Sequence, residues 1–338
     1  MCVISEKELE GQTNSYIKVK SSLQALKDMA LLYRNNLDIK VVGITGSVGK
    51  TSTKETISYV LNKKYKVLKT EGNFNNEIGL PLTVFRLRDD DEVAVLEMGI
   101  SDFGEMDRLS KIAQPDISVI TNIGLCHLEN LKTRDGILKA KTEIFNNMKP
   151  DGIAILNGDD DKLITVDEVN GKKPERFGIN YKDGVYAKDI ENLGLSGTKF
   201  VISGLNCVDG CKDFEVTVPV PGHHMIYNAL AAACVGAALE LTSAQIADGI
   251  ADLKTISGRN NIIKTSKYTL IDDCYNANPV SMKASVDVLD MAIGRKVCIL
   301  GNMYELGENE KNLHYDVGQY IGTKNIDCLL YTSPSPRD

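Results

Sequence analysis

Hydrophobic and polar positions along the chain follow two alternating patterns. Uninterrupted apolar runs at Val41–Thr45, Val93–Met98 and Ile117–Ile123 predict strands buried on both faces of a parallel sheet. Between them, Lys50–Asn62, Phe103–Ala113 and Arg134–Met148 space their apolar residues three and four apart, which predicts helices. Strands alternating with helices imply right-handed crossovers and a doubly wound α/β domain. Gly152–Asn157 continues the pattern. From Arg176 to Val220 the chain changes to short β-rich pieces broken by Gly and Asn, predicting an antiparallel extension. Helices follow at Met225–Leu239 and Ser243–Leu253. A second unit begins near Ser257, with a hairpin from Asn261–Thr265 and Tyr268–Ile271 and a helix at Val280–Met291. A strand at Lys296–Leu300 and a helix at Asn312–Ile321 then open another α/β domain. The last stretch, Leu329–Asp338, carries two prolines and loses periodicity, so it reads as a non-native tail.

Composition narrows the function classes. Of 338 residues, 43% are hydrophobic and 25% charged, which excludes a disordered or fibrous protein. A net charge of −7 argues against a nucleic-acid partner, though a local phosphate site remains compatible with it. The longest uncharged apolar stretch, Met225–Leu239, is too short to span a bilayer, so no membrane insertion is expected. The N-terminus lacks the apolar core of a signal peptide, and the eight cysteines then read as reduced thiols of a cytoplasmic, monomeric protein. Cys207 and Cys211 form a CxxxC without a second Cys/His pair, which leaves zinc short of ligands.

The strongest local chemistry lies at Val41–Thr51, where a hydrophobic strand runs into a Gly-rich turn and Lys-Thr opens a helix. Glycines let backbone N–H groups curl around phosphate oxygens, and a helix N-terminus adds positive potential. Gly46, Ser47, Val48 and Gly49 would cradle phosphate, with Ser52 in the first helical turn. Lys50 would reach the β/γ-phosphates, and Thr51 would offer its hydroxyl to Mg²⁺. The form is GxxGxxGKT rather than GxxxxGK[ST], and the dinucleotide fingerprint GxGxxG is absent. The [NT]KxD guanine motif is also missing, which disfavours a signalling GTPase. Glu97 closes one strand and His127 follows the next, so both sit at the C-terminal sheet edge where open α/β folds place ligands. Asn73 and Asn76 lie in a loop after a Tyr65–Thr70 strand, where amides can meet phosphate or substrate without adding charge.

Together with EGNFNNEIGLPLT (Glu71–Thr83), LEMG (Leu96–Gly99), HHMIYNALAA (His223–Ala232), DDCYNANPVSM (Asp272–Met282) and LGNMYELG (Leu300–Gly307), this loop resembles the Mur ligases. These are ATP-dependent amide ligases of peptidoglycan synthesis. YNANP after a hairpin is similar to the members that join D-alanyl-D-alanine to UDP-N-acetylmuramoyl-tripeptide through an acyl phosphate.

The resemblance implies a P-loop ATPase domain with a mostly parallel doubly wound sheet, followed by the start of a Rossmann-like α/β domain. It makes 1–36 a remnant of a UDP-substrate domain, 37–256 the central ATP-binding domain, 257–328 an incomplete C-terminal ligase domain and 329–338 the tail. It implies ATP and two Mg²⁺ sites: Thr51 and Glu97 at one, His127 and a carbamylated Lys141 at the other. Lys50, His127 and Lys141 are then catalytic, Asn73 and Asn76 contact substrate, and Asn228 contacts adenine. Arg259 contacts phosphates and Asp273 the ribose, both reaching ATP by closure about a hinge near Ile256–Gly258. A chain of this extent is expected to bind ATP and to ligate weakly or not at all. The alternatives are another Mur-type or folylpolyglutamate-type ligase, or an inactive ATP-binding fragment.

Overall fold

The computed structural model describes residues 3–8 and 16–331. Strands β1 (Val3–Ser5) and β2 (Tyr16–Lys18) pair in parallel and lead into helix α1 (Ser22–Asn35). Arg34 anchors that helix to the next domain, its guanidinium donating to the carbonyls of Leu37, Ile39 and Ala113.

The central domain alternates β3 (Lys40–Thr45), α2 (Lys50–Leu61), β4 (Val67–Lys69), α3 (Gly79–Val84), β5 (Val93–Glu97), α4 (Glu105–Ala113) and β6 (Ile117–Ile120). Then come α5 (Leu128–Leu131), α6 (Arg134–Thr142), β7 (Ile153–Asn157), β8 (Glu175–Gly178), β9 (Val185–Asn192), β10 (Thr198–Ser203) and β11 (Phe214–Val218). Helices α7 (His224–Ala238) and α8 (Ser243–Ala251) close the domain. The nine strands form one sheet in the order β11-β10-β9-β8-β7-β6-β3-β5-β4. From β4 to β9 neighbours are parallel, and β9, β10 and β11 pair antiparallel, so the antiparallel extension expected from Arg176 begins only at β9, β8 still pairing parallel with both neighbours.

Period-two alternation explains why the first strands read as continuous apolar runs. Val42, Ile44, Val93 and Val95 face a core shared with α2, α7 and α8. Val41, Ala94 and Leu96 face the opposite core, packed with Ala30, Leu80, Met106 and Leu109. Both faces are covered, so neither tolerates polar residues. Beyond β8 the alternation becomes apolar–polar, because only one face is covered there.

Two boundaries differ from the patterning. The helix predicted over Arg134–Met148 ends at Thr142 and continues as a 3₁₀ turn over Glu143–Asn147. In that turn the Glu143 carboxylate accepts the N–H groups of Gly104 and Asp107 at the start of α4, a favourable place for negative charge. The strand predicted to Ile123 stops at Ile120 because Thr121 and Asn122 turn to the phosphate loop.

The second unit has its own small core of Met282, Val286, Cys298, Met303, Leu306, Val317 and Ile321. It comprises the hairpin β12 (Asn261–Lys264) and β13 (Thr269–Asp272), α9 (Pro279–Asp290), β14 (Val297–Leu300), α10 (Glu310–Gly322) and β15 (Cys328–Tyr331). β15 runs parallel to β14 and takes in Leu329–Tyr331, which the patterning had assigned to a tail. Residues 332–338 lie outside the described residues.

Candidate active site

β3 lies at the centre of the parallel strands, with β5 on one side and β6 on the other, and the chain crosses from one side to the other after β5. Ligands of open α/β sheets bind at such a reversal, outside the strand C-termini. The turn from β3 into α2 occupies that position. Gly46 has φ 149°, and a Cβ there would lie 2.0 Å from Thr121 Oγ1; Gly49 starts the helix at φ 84°. Only glycine meets both demands without strain. The loop is braced from β6: Asn122 Oδ1 accepts from Val48 N at 3.0 Å, and Asn122 Nδ2 donates to Val48 O at 2.9 Å. Ser47 Oγ accepts from Gly124 N, and Lys50 Nζ folds back on Gly46 O at 2.9 Å. Thr51 is buried in the first turn.

Register places Glu97 opposite Ile44, one strand from the loop. Its side chain is buried; Oε1 accepts from Asn75 Nδ2 at 2.9 Å, while Oε2 has no hydrogen-bond partner. The nearest cation, Lys54 Nζ, stands 3.9 Å from Oε2 and donates instead to Thr70 O. An orphaned buried carboxylate oxygen is costly unless a cation meets it, so the donor set fits a hard metal ion. Among the described residues no three His, Cys, Asp or Glu side chains converge. Magnesium has a matching habit, taking one or two carboxylates and filling its shell with phosphate oxygens and water.

Lys141 presents the opposite imbalance. It is 1% exposed on α6 and, among the described residues, makes no ion pair or side-chain hydrogen bond. Burial, reinforced by the Lys50 charge, pulls its pKa down to about 8. His127, in the left-handed region at φ 50°, is lowered chiefly by burial, with Lys141 and Lys50 adding to the effect and Glu305 opposing it. Its Nδ1 lies 2.8 Å from Glu305 Oε2, on the loop between β14 and α10.

A cavity of about 280 Å³ runs from the phosphate loop between the two units. Val48, Gly49, Ser52, Asn228, Arg259 and Asp273 all line it. Asn228 is buried, its Oδ1 accepting from Thr53 Oγ1 at 2.9 Å. Arg259 stacks 4.3 Å above the Tyr275 ring, at the turn that Arg259 N closes on Ile256 O. Asp273 accepts from Asn260 N and from Ser285 Oγ, which fixes its carboxylate. His224, partly exposed and with its pKa lowered chiefly by desolvation, faces Asn260 across the junction.

The structure thus lines one cleft with the loop, Asn228, Arg259 and Asp273, and sets Lys141 and His127 within reach of the Lys50 charge and Glu97 one strand from the loop, none of these three lining the cavity itself. Asn73 is exposed away from that lining, and Asn76 spends its Oδ1 on the N–H groups of Ile78 and Gly79 at the start of α3. The asparagine of that loop that reaches the site is Asn75, through Glu97. Lys54, one turn after Lys50 on the same helix face, was also legible from spacing and was missed. Glu305 carried no sequence signal, since only the packing of the two units brings it to His127.

Comparison with known proteins agrees with this architecture. The Mur ligase middle domain family matches residues 44–236, and the Mur ligase, glutamate ligase domain family matches 258–338. The UDP-N-acetylmuramoyl-tripeptide–D-alanyl-D-alanine ligase of Bacillus subtilis is 40% identical over 322 residues, covering 94% of this chain and 68% of its own length. MurF from Acinetobacter baumannii superposes with a TM-score of 0.90 at 33% identity, over 97% of this chain and 71% of that one. MurF from Thermotoga maritima in complex with ADP gives 0.88 at 32% identity, over 99% and 76%. With both units matched and this identity across most of the chain, the chain belongs to the Mur ligase family, alongside its MurF members.

Proposed function

We propose that this chain is an ATP-dependent ligase of peptidoglycan precursor synthesis, joining D-alanyl-D-alanine to UDP-N-acetylmuramoyl-tripeptide. The observation that supports the reading is a buried lysine, Lys141, with no ion pair and a buried Glu97 whose Oε2 accepts no hydrogen bond and meets Lys54 only at 3.9 Å, both near a phosphate loop that borders a cleft two units share. In this reading the terminal carboxylate of the tripeptide takes the γ-phosphoryl group of ATP, releasing ADP. The amine of D-alanyl-D-alanine then attacks the acyl phosphate, forming the amide and releasing phosphate.

The chain's own residues divide that work. Backbone N–H groups of Gly46–Thr51 and the start of α2 receive the phosphates. Lys50 leaves the Gly46 carbonyl for the β/γ oxygens. Asn228 borders the adenine end, Arg259 turns its guanidinium to phosphate, and Asp273 presents its fixed carboxylate to the ribose hydroxyls. Thr51 and Glu97 would hold one Mg²⁺, and His127 with a carbamylated Lys141 would hold a second. Such ions neutralise phosphate oxygens so that two anions can meet. A pKa near 8 leaves roughly one Lys141 in ten neutral at pH 7, and only a neutral amine adds to CO₂. The carbamate turns an unpaired buried cation into an anionic ligand. Closure of the second unit over the cleft excludes water from the acyl phosphate. The chemistry suits a cytoplasmic enzyme, where ATP and UDP-linked precursors are made.

The test is phosphate release from ATP by this chain, with product mass measured. Release that requires both UDP-muramoyl-tripeptide and D-alanyl-D-alanine, with formation of the pentapeptide, is expected. Turnover with a folate and glutamate instead, or no dependence on an amine acceptor, would overturn the assignment.

A further inference from the structure

The second unit sends one carboxylate to the phosphate-loop side of the cleft, and it meets His127. Glu305 Oε2 lies 2.8 Å from His127 Nδ1. Glu305 sits at φ 60° and His127 at φ 50°, both in the left-handed region. A non-glycine residue is disfavoured there. An exposed ion pair returns little, and the Glu305 side chain is 61% exposed. The contact therefore does not hold the two units together on its own strength. Its effect is on orientation. An imidazole whose Nδ1–H is given to a carboxylate keeps its Nε2 lone pair free, and metal-binding histidines are commonly set this way. Glu305 is the one carboxylate on the second unit paired with His127 among the described residues.

We propose that Glu305 is a positioning residue that fixes the Nδ1–H tautomer of His127 and so keeps its Nε2 lone pair free for a cation only when the second unit is closed. The proposal rests on the reading above, in which His127 serves a cation site beside Lys141. It adds an interlock: the histidine is prepared by the unit that also supplies Arg259 and Asp273. A chain gripping ATP in the open arrangement then has a complete phosphate loop but an unaimed histidine, so premature transfer to water is disfavoured.

Four histidines make the test tractable by ¹⁵N NMR of ¹⁵N-histidine-labelled chain. With Mg²⁺ and a non-hydrolysable ATP analogue, His127 should show a protonated Nδ1 and an unprotonated Nε2. Glu305→Ala should shift it toward Nε2–H, the tautomer free imidazole favours. Glu305→Gln, whose carbonyl still accepts, should retain Nδ1–H. Mn²⁺ titration followed by electron paramagnetic resonance should find the weaker of two ions loosened 10–100-fold in Glu305→Ala, with the tighter one unchanged. Turnover should fall in kcat with KM for ATP unmoved, and Glu305→Gln should recover part of it. Because Glu305 is exposed, neither variant threatens folding. An unchanged tautomer and unchanged Mn²⁺ affinity in Glu305→Ala would overturn the proposal. The spectroscopic results need no ligase substrate: a tautomer shift alongside turnover that follows a folate and glutamate would sink the functional assignment and leave the interlock standing.

Discussion

Lys141 and Glu97 are expensive residues to bury, and each reports on what the site is built to hold. The Lys141 ammonium is taken from a pKa of 10.5 to about 8 by desolvation and Lys50. Unfolding therefore takes up a proton between pH 8 and 10.5. Stability rises across that window, and the full penalty applies below pH 8. In CO₂-free buffer at pH 7, Lys141→Met should stabilise the protein by about 2–3 kcal/mol while abolishing turnover. Thermal unfolding with and without bicarbonate checks this, and a Met variant that melts lower in both buffers would contradict it. Glu97 carries a complementary expectation. Glu97→Gln should leave ADP affinity in EDTA unchanged but weaken ADP binding in Mg²⁺ at least about tenfold, the share a charged ligand contributes. Calorimetric titration in the two buffers separates the cases, and equal losses in both would argue against a metal role.

Elements were legible where a repeat of one physical demand runs for several residues. β3, β5 and the helices α2, α7 and α9 follow directly from apolar spacing, because coverage on one or both faces selects it. What escaped the sequence is whatever depends on a partner far along the chain. β6 ends early because Asn122 braces Val48, and α6 shortens into a 3₁₀ turn where Glu143 meets the start of α4. Within the site, the loop and Glu97 announce themselves by position at a sheet edge. Asn75 does not, since nothing in a run of asparagines says which one turns inward. Asn76, singled out as a substrate contact, accepts the Gly79 N–H at the first turn of α3 with its Oδ1. Asn76→Ala should cost about 1 kcal/mol of stability, as loss of a helix cap does, with ATP affinity unchanged. Denaturant melts beside nucleotide titrations decide it: unaltered stability with a raised KM for the muramoyl substrate would restore the binding role.

At the scale of the whole molecule, the cleft proposed to take nucleotide belongs to neither unit alone. Val48, Ser52 and Asn228 come from the nine-stranded domain, and Arg259, Asp273 and Ser281 from the hairpin and α9. The two units have separate cores, so the smaller one gains most from a ligand that touches both. A non-hydrolysable ATP analogue with Mg²⁺ at 100 times its Kd should add about 2.7 kcal/mol to stability. Hydrogen exchange should slow in β12, β13 and the start of α9 as well as in the phosphate loop. Protection confined to the loop would mean that the second unit does not close on nucleotide. Among the described residues no helix is long and apolar enough to cross a membrane.

One detail of the phosphate loop bears on how the protein counts phosphates. Lys50 already rests on the Gly46 carbonyl, and Val48 on Asn122. Arriving nucleotide does not fill idle donors; it must displace partners already in place. AMP, whose single phosphate does not extend to the β and γ positions, has nothing to offer that ammonium in exchange for its carbonyl. A nucleotide that carries a β-phosphate can draw the lysine away, so this hydrogen bond acts as a threshold that sets di- and triphosphates apart from AMP.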